Sequence, residues 1–195
     1  MTAKAPTNDG YWTDAGNYAT SFAGGSGAES DPYLIETPQQ LAYLSYLINT
    51  PPYATQYGKL YYKQTADIDL SAYYWVPIGN EFYTFEGNYN GNDYSINNIY
   101  INSETNYVGL FGNTKNINLS NLSIYNFILP EQTFSPSDNY SATHFGAFVA
   151  FASSGNISNC ELFNSELNIK LPSYLPGRVS IGGIIGALER IGSIE

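Results

Sequence analysis

Paired carboxylates, one histidine, one cysteine and a surplus of tyrosine are the side chains in this sequence from which chemistry can be built. Asp67 and Asp69 stand two residues apart in Ala66-Asp67-Ile68-Asp69-Leu70. Alternation places both on one side of a strand. Two carboxylates so placed can bind a divalent cation or divide the acid and base work of glycosidic cleavage. They are too few for a calcium site without loop ligands, and their apolar neighbours make them ordinary outward-facing residues of a half-buried strand. His144 precedes a glycine-bounded segment in Thr143-His144-Phe145, and no serine lies in a Gly-x-Ser-x-Gly elbow to work with it. It is expected at a surface or loop end. Cys160 has no basic neighbour to activate it and is expected to fill a small core slot. Single copies of Cys and His exclude an intrachain disulfide, a thiolate metal cluster, a multi-histidine site and the HExxH helix. No catalytic residue, metal or cofactor is expected.

Tyrosine is the one surplus with a functional meaning. Of 19 tyrosines, Tyr61, Tyr62, Tyr73, Tyr74, Tyr83, Tyr89 and Tyr94 crowd into one third of the chain, with Trp75 among them. Exposed aromatic rings stack on sugar faces and anchor protein interfaces at little entropic cost. Tyr61, Tyr62, Tyr73, Tyr74, Tyr83 and Tyr89 are therefore the candidate contacts for a surface glycan or a protein. Against this stands the preference of strands for aromatics, by which about half of them point inward.

The chain has 195 residues, enough to bury a core without a metal or disulfide. Its formal net charge of −10 argues against nucleic acid and anionic membrane as partners, since both reward clustered Lys and Arg. No apolar run approaches the roughly 20 residues of a membrane span. Met1 to Gly10 lacks the build of a secretion signal. Yet 18 Gly, 21 Asn and only 12% charged residues suit an extracellular β-rich surface. The expectation is an exported protein whose signal is not part of this chain.

The elements that must position these residues fall into two zones. Residues 1–58 form a Gly- and Ser-rich lead-in followed by one helix. Thr37 suits its N-cap, Pro38 its first position, and Gln40 completes a capping box. Leu41, Leu44, Leu47 and Ile48 share one face, and Pro51-Pro52 stops it. Such a helix covers an otherwise open sheet end. From residue 59 to 195 the apolar period becomes two, in what is expected to be one continuous domain with the first zone.

This second zone repeats. Gly109-Leu110-Phe111-Gly112 recurs as Gly146-Ala147-Phe148-Val149 and as Gly183-Ile184-Ile185-Gly186, at intervals of 37 and 37. A second element appears as Ile96-Asn97-Asn98-Ile99, Leu119-Ser120-Asn121-Leu122 and Ile157-Ser158-Asn159-Cys160, at intervals of 23 and 38. Ile96, Ile99 and Ile101, like Leu119, Leu122 and Ile124, step by three and then two. A step of three across an Asn implies a corner in the left-handed backbone region that Asn tolerates. Asn98, Asn121 and Asn159 are expected to stack at one corner as an amide ladder. Strand, corner, strand and a glycine-bounded strand describe one coil of a parallel β-helix, with the shortest interval, 23, as the bare coil. Pro130 to Thr143 and Leu171 to Arg178 are the expected protruding loops.

The Gly-Leu-x-Gly element followed by Ile-x-Asn-Cys resembles the GLUG repeat of bacterial surface and adhesion proteins. Ala66 to Leu70, Trp75-Val76-Pro77-Ile78-Gly79 and Phe85 to Gly91 resemble what commonly precedes such repeats. The resemblance spans about Gly16 to Glu195, with Val149 standing where a Gly is expected and Ile184 replacing Leu. It implies a mainly β chain, a right-handed parallel β-helix with one short N-terminal capping α-helix, exported to the bacterial cell surface. It implies no ligand. The expected function is non-enzymatic adhesion or spacing. The alternatives are a subunit that assembles with copies of itself end to end into a fibre, and a polysaccharide lyase or hydrolase, which needs a groove where two carboxylates converge.

Overall fold

The computed structural model describes residues 6–102, 105–133, 142–170 and 178–189. The chain is mainly β, with two helices near its start. Helix α1, Pro38–Asn49, begins as its cap residues dictate. The Thr37 hydroxyl accepts from the Gln40 amide at 3.3 Å, and the Gln40 side-chain oxygen accepts from the Thr37 amide at 3.2 Å. Leu41, Leu44, Leu47 and Ile48 are buried. A second helix, α2, Tyr53–Tyr57, follows where only a helix stop was expected. Pro51-Pro52 ends the first helix, and the chain turns back into helix directly after it, with Pro52 at the N-cap and no side chain capping the new turn.

Fourteen strands are described: β1 Tyr33–Ile35, β2 Tyr61–Gln64, β3 Ile68–Asp69, β4 Asn88–Asn90, β5 Ser95–Tyr100, β6 Tyr107–Val108, β7 Phe111–Thr114, β8 Ile117–Thr133, β9 Ala142–Gly146, β10 Val149–Ala152, β11 Gly155–Phe163, β12 Glu166–Lys170, β13 Arg178–Gly182 and β14 Ile185–Leu188. They form three sheets, and every ladder between these strands is parallel. Each column follows chain order: β1-β2-β4-β8-β11, β3-β5-β8-β11, β6-β9-β13 and β7-β10-β14.

The long strand β8 belongs to several columns because it bends. Its residues that are at most 1% exposed are Ile117, Leu119, Leu122, Ile124, Phe127 and Leu129, stepping by two except across Asn121 and Asn126, with Ile128 buried less completely at 8%. Both asparagines have positive φ, 53° and 59°. A left-handed residue consumes one position without switching faces, so the apolar side stays inward around the corner. The inner faces meet in one cluster of buried residues running from Trp12 to Ile157. The indole N–H groups of Trp12 and Trp75 inside it donate to the carbonyls of Leu70 and Leu110, both at 3.1 Å.

The register corrects the spacing expected from sequence in three places. Asn98 pairs with the column of Asn126, not with Asn121 and Asn159, because Asn97 lies opposite Tyr125 and Ile99 opposite Phe127. The bond from Asn126 to Asn98 joins residues 28 apart, so the 23-residue interval joined two different corners. Both corners of β8 carry the same apolar-x-Asn-apolar pattern, which is why they were interchangeable on paper. Second, Gly146 lies opposite Gly182, not Gly183. Third, Val149 lies opposite Phe111 and Ile185, which puts Ala150 in the slot of Gly112 and Gly186. From Gly146 to Ala150 and from Gly182 to Gly186 is four residues, against three from Gly109 to Gly112, so the first copy is one residue shorter and the absent glycine at Val149 is an alignment shifted by one. The stretches expected to protrude fall largely outside the described residues, at 134–141 and 171–177.

Candidate functional site

The six candidate tyrosines do not form one surface. Tyr62 and Tyr89 are each 1% exposed and belong to the core, which corrects their assignment as ligand contacts. Strand alternation turns both inward, while Tyr61 and Asn90 beside them are only half-buried. The Tyr62 hydroxyl donates to the Tyr57 carbonyl at 2.6 Å and that of Tyr89 to the Gln64 side-chain oxygen at 3.1 Å. Tyr73 and Tyr74 pack on the lead-in, with Tyr73 edge-on to Trp12 and Tyr74 tilted on Tyr11. Tyr61 and Tyr83 are half-buried on separate elements.

The aromatics that do assemble lie around the helices. Tyr18 stacks on Tyr46 at 4.5 Å between ring centroids, and Phe22 bridges Tyr33, Tyr43 and Tyr62. Tyr53, 38% exposed, extends the group from α2. Burial, the Tyr46 hydroxyl and the neighbouring phenols hold Tyr18 above the usual tyrosine range. Tyr43 and Tyr46 sit three apart on the flank of α1 beside its leucine face, a spacing visible in the sequence but outside the segment singled out there.

A different feature reaches furthest into solvent. The loop Asn80 to Glu86 carries Phe82, which is 77% exposed. The Asn80 side-chain oxygen accepts from the amides of Phe82 and Tyr83 at 2.9 and 3.0 Å, and the Asn80 amide donates to the Tyr83 carbonyl at 2.8 Å. Asn49 at the end of α1 accepts from the Asn80 side chain at 3.1 Å and from the Gly79 amide at 3.2 Å. Asn113 on β7 donates to the Asn80 carbonyl at 3.1 Å. Gly79 has φ of +90°, and a Cβ there would lie 2.3 Å from the Asn113 carbonyl oxygen, so only glycine fits. The ring is thus held out by a loop fastened on two sides. One cleft of about 210 Å³, lined by Asn80, Glu81, Thr105, Asn106 and Tyr107, flanks it. A second, of about 320 Å³, lies toward Thr55, Lys59, Tyr83, Thr84 and Glu86.

The titratable groups serve structure. Asp67 accepts from the amide and hydroxyl of Ser95 at 2.8 and 2.9 Å. Asp69 accepts from the Ser71 amide at 3.0 Å and the Asn98 side chain at 2.9 Å. Partial burial raises the Asp69 pKa, but these hydrogen bonds outweigh it and hold the carboxyl below its usual range. His144 is not a loop-end residue. It lies in β9 with its ring 5.0 Å from Phe151 and 5.7 Å from Tyr107, and its Nδ1 is buried without a hydrogen-bond partner. Burial lowers its pKa. Cys160 pairs in register with Leu122, donates to the Ser158 carbonyl at 3.3 Å, and burial pushes its thiol up to about 11.

The recurring asparagines build ladders in more columns than one. Asn159 donates to Asn121 at 3.0 Å and Asn121 to Asn90 at 3.1 Å. Asn126 donates to Asn98 at 3.0 Å, which donates to Asp69, and Asn118 donates to Asn88 at 2.8 Å. Among the described residues, no three His, Cys, Asp or Glu side chains are grouped to hold a metal ion. Among the described residues, no helix is long and apolar enough to cross a membrane.

No known protein family matches the chain, and no solved structure does. A protein named "Putative Gly-rich membrane protein" from Evansella cellulosilytica is 43% identical over 99 residues. That alignment covers 47% of this chain and 10% of the relative, so the chain spans a small fraction of the protein it matches.

Proposed function

We propose that this chain is a non-enzymatic surface module built as a right-handed parallel β-helix of the GLUG-like kind, exported and working in adhesion or as a spacer. The observation that carries the reading is the in-register parallel stacking, with left-handed asparagines at the bends and glycine or alanine in one column. Each coil offers too few apolar residues to be stable alone, so the element is useful only as a rigid stack that holds loops and rings away from its attachment. The name of the relative places that protein at a membrane, which suits display at a cell surface as part of something longer. A lyase or hydrolase is disfavoured because Asp67 and Asp69 are exposed, tied to different partners, and Asp69 is held ionised where a general acid must keep its proton.

The test is display of the chain on a non-adherent bacterium, followed by retention under flow on surfaces coated with polysaccharide or protein. Retention without release of reducing or unsaturated sugar ends is expected. Turnover of the coating would replace the reading with the enzymatic one, and absence of retention would remove its adhesive half.

A second reading, end-to-end assembly, is favoured by one observation. Among the described residues, β13 and β14 are outer strands of their sheets, and Ile181 and Leu188 on them are 54% and 40% exposed. Sedimentation at several concentrations separates the two, since assembly gives polymers that grow with concentration and a displayed module does not.

A further inference from the structure

We infer that the Phe82 loop is a binding site for a neutral polysaccharide chain, with one sugar face stacked on Phe82 and neighbouring sugars seated in the two flanking clefts. It rests on the reading of this chain as a contact module and names the place and the ligand class. Phe82 is the most exposed large apolar side chain described, at 77%. A ring left in water on a mobile loop gains little by binding, because ordering the loop offsets the contact. Here the loop is already ordered, by the two amide bonds to Asn80, by Asn49 and by Asn113. The ring is presented ready to stack.

The surroundings distinguish a sugar from a protein. A protein interface needs a contiguous apolar centre. Around Phe82 the polar side chains Asn80, Thr105, Asn106, Thr55 and Thr84 are instead interleaved with Ala54 and the Tyr83 ring, so polar and apolar groups alternate along the clefts. A pyranose matches that pattern, since it offers a flat C–H face to the ring and hydroxyls around its edge to polar groups. Charge then selects among glycans. Glu81 lines one cleft, and in the other Glu86 is paired with Lys59 at 3.5 Å. With a net charge of −10 on the whole chain, a polyanion such as a polyuronate is repelled and a neutral chain is not.

Affinity gel electrophoresis of the full chain through hydroxyethylcellulose, laminarin, galactomannan or polygalacturonate tests this. Retardation is expected in at least one neutral gel and not in polygalacturonate. Phe82→Ala is expected to weaken that retardation about tenfold, the loss of one aromatic stack. Tyr46→Ala, on the helix surface, should leave it unchanged. Because the Phe82 ring is mostly in solvent, its removal leaves the core intact, and an unaltered melting curve will verify this. No retardation in any neutral gel, or retardation only in polygalacturonate, overturns the inference. Equal retardation of wild type and Phe82→Ala overturns the site while leaving a contact function elsewhere standing.

Discussion

Asn121 shows how much one residue contributes here. It turns the chain with φ of 53°, accepts from Asn159 and donates to Asn90. Asn121→Ala removes both hydrogen bonds and forces a side chain with no left-handed preference into that conformation. A loss of about 2–3 kcal/mol is expected in denaturant unfolding. Asn121→Gly keeps the conformation and loses only the bonds, so about 1 kcal/mol is expected. Equal losses would show that the corner's backbone is not what Asn supplies. Cys160, with its thiol raised to about 11, should alkylate with iodoacetamide at pH 8 far more slowly than a free cysteine. The expected rate ratio is about a hundredfold or more, and unfolding in urea should erase it.

Strands and helices were legible wherever a single local rule decided them. Thr37, Pro38 and Gln40 marked the start of α1, and the three-residue steps across Asn98 and Asn121 marked bends. Pairing between copies was not legible, because two bends of β8 share one pattern and the spans Gly146 to Ala150 and Gly182 to Gly186 are one residue longer than Gly109 to Gly112. Which tyrosines face inward was legible only from alternation, and Tyr61-Tyr62 and Tyr73-Tyr74 are adjacent pairs that hide it. The Phe82 loop carries a weaker signal in the sequence, the turn dipeptide Gly79-Asn80 shortly before an apolar ring, which the tyrosine surplus around it masks. At this scale the glycine column is the sharpest test. A Cβ on Gly112 would lie 2.2 Å from the Gly79 carbonyl oxygen, whereas Ala150, at the paired position of the neighbouring strand β10, has room for one. Gly112→Ala should cost about 2 kcal/mol or more and Ala150→Gly about 1 kcal/mol, read from urea midpoints.

For the whole molecule, the buried titratable groups confine stability to an interval of pH. The His144 pKa is lowered by burial, so the unfolded chain takes up a proton at about 6.5 while the folded one resists it. Stability should therefore fall as pH drops below about 6.5, and His144→Phe should flatten that slope. Asp69, held low, adds a further loss at more acid pH, as its carboxylate is protonated and releases Asn98 and Ser71. At the other end, burial raises Tyr62 and Tyr89, so the unfolded phenols ionise first and stability should fall above about pH 10. Melting temperatures from about pH 2 to about pH 11 by circular dichroism read all three. A flat profile would mean these groups are hydrated in the folded chain.

The amide columns have one more consequence. In all five of their side-chain bonds the hydrogen is passed toward the amino-terminal side, from Asn159 to Asn121 to Asn90, from Asn126 to Asn98 to Asp69, and from Asn118 to Asn88. A pile wired this way has unlike poles. The stack therefore has a polarity in its side-chain bonds as well as in the parallel run of its strands, and the two are set by the same stacking order.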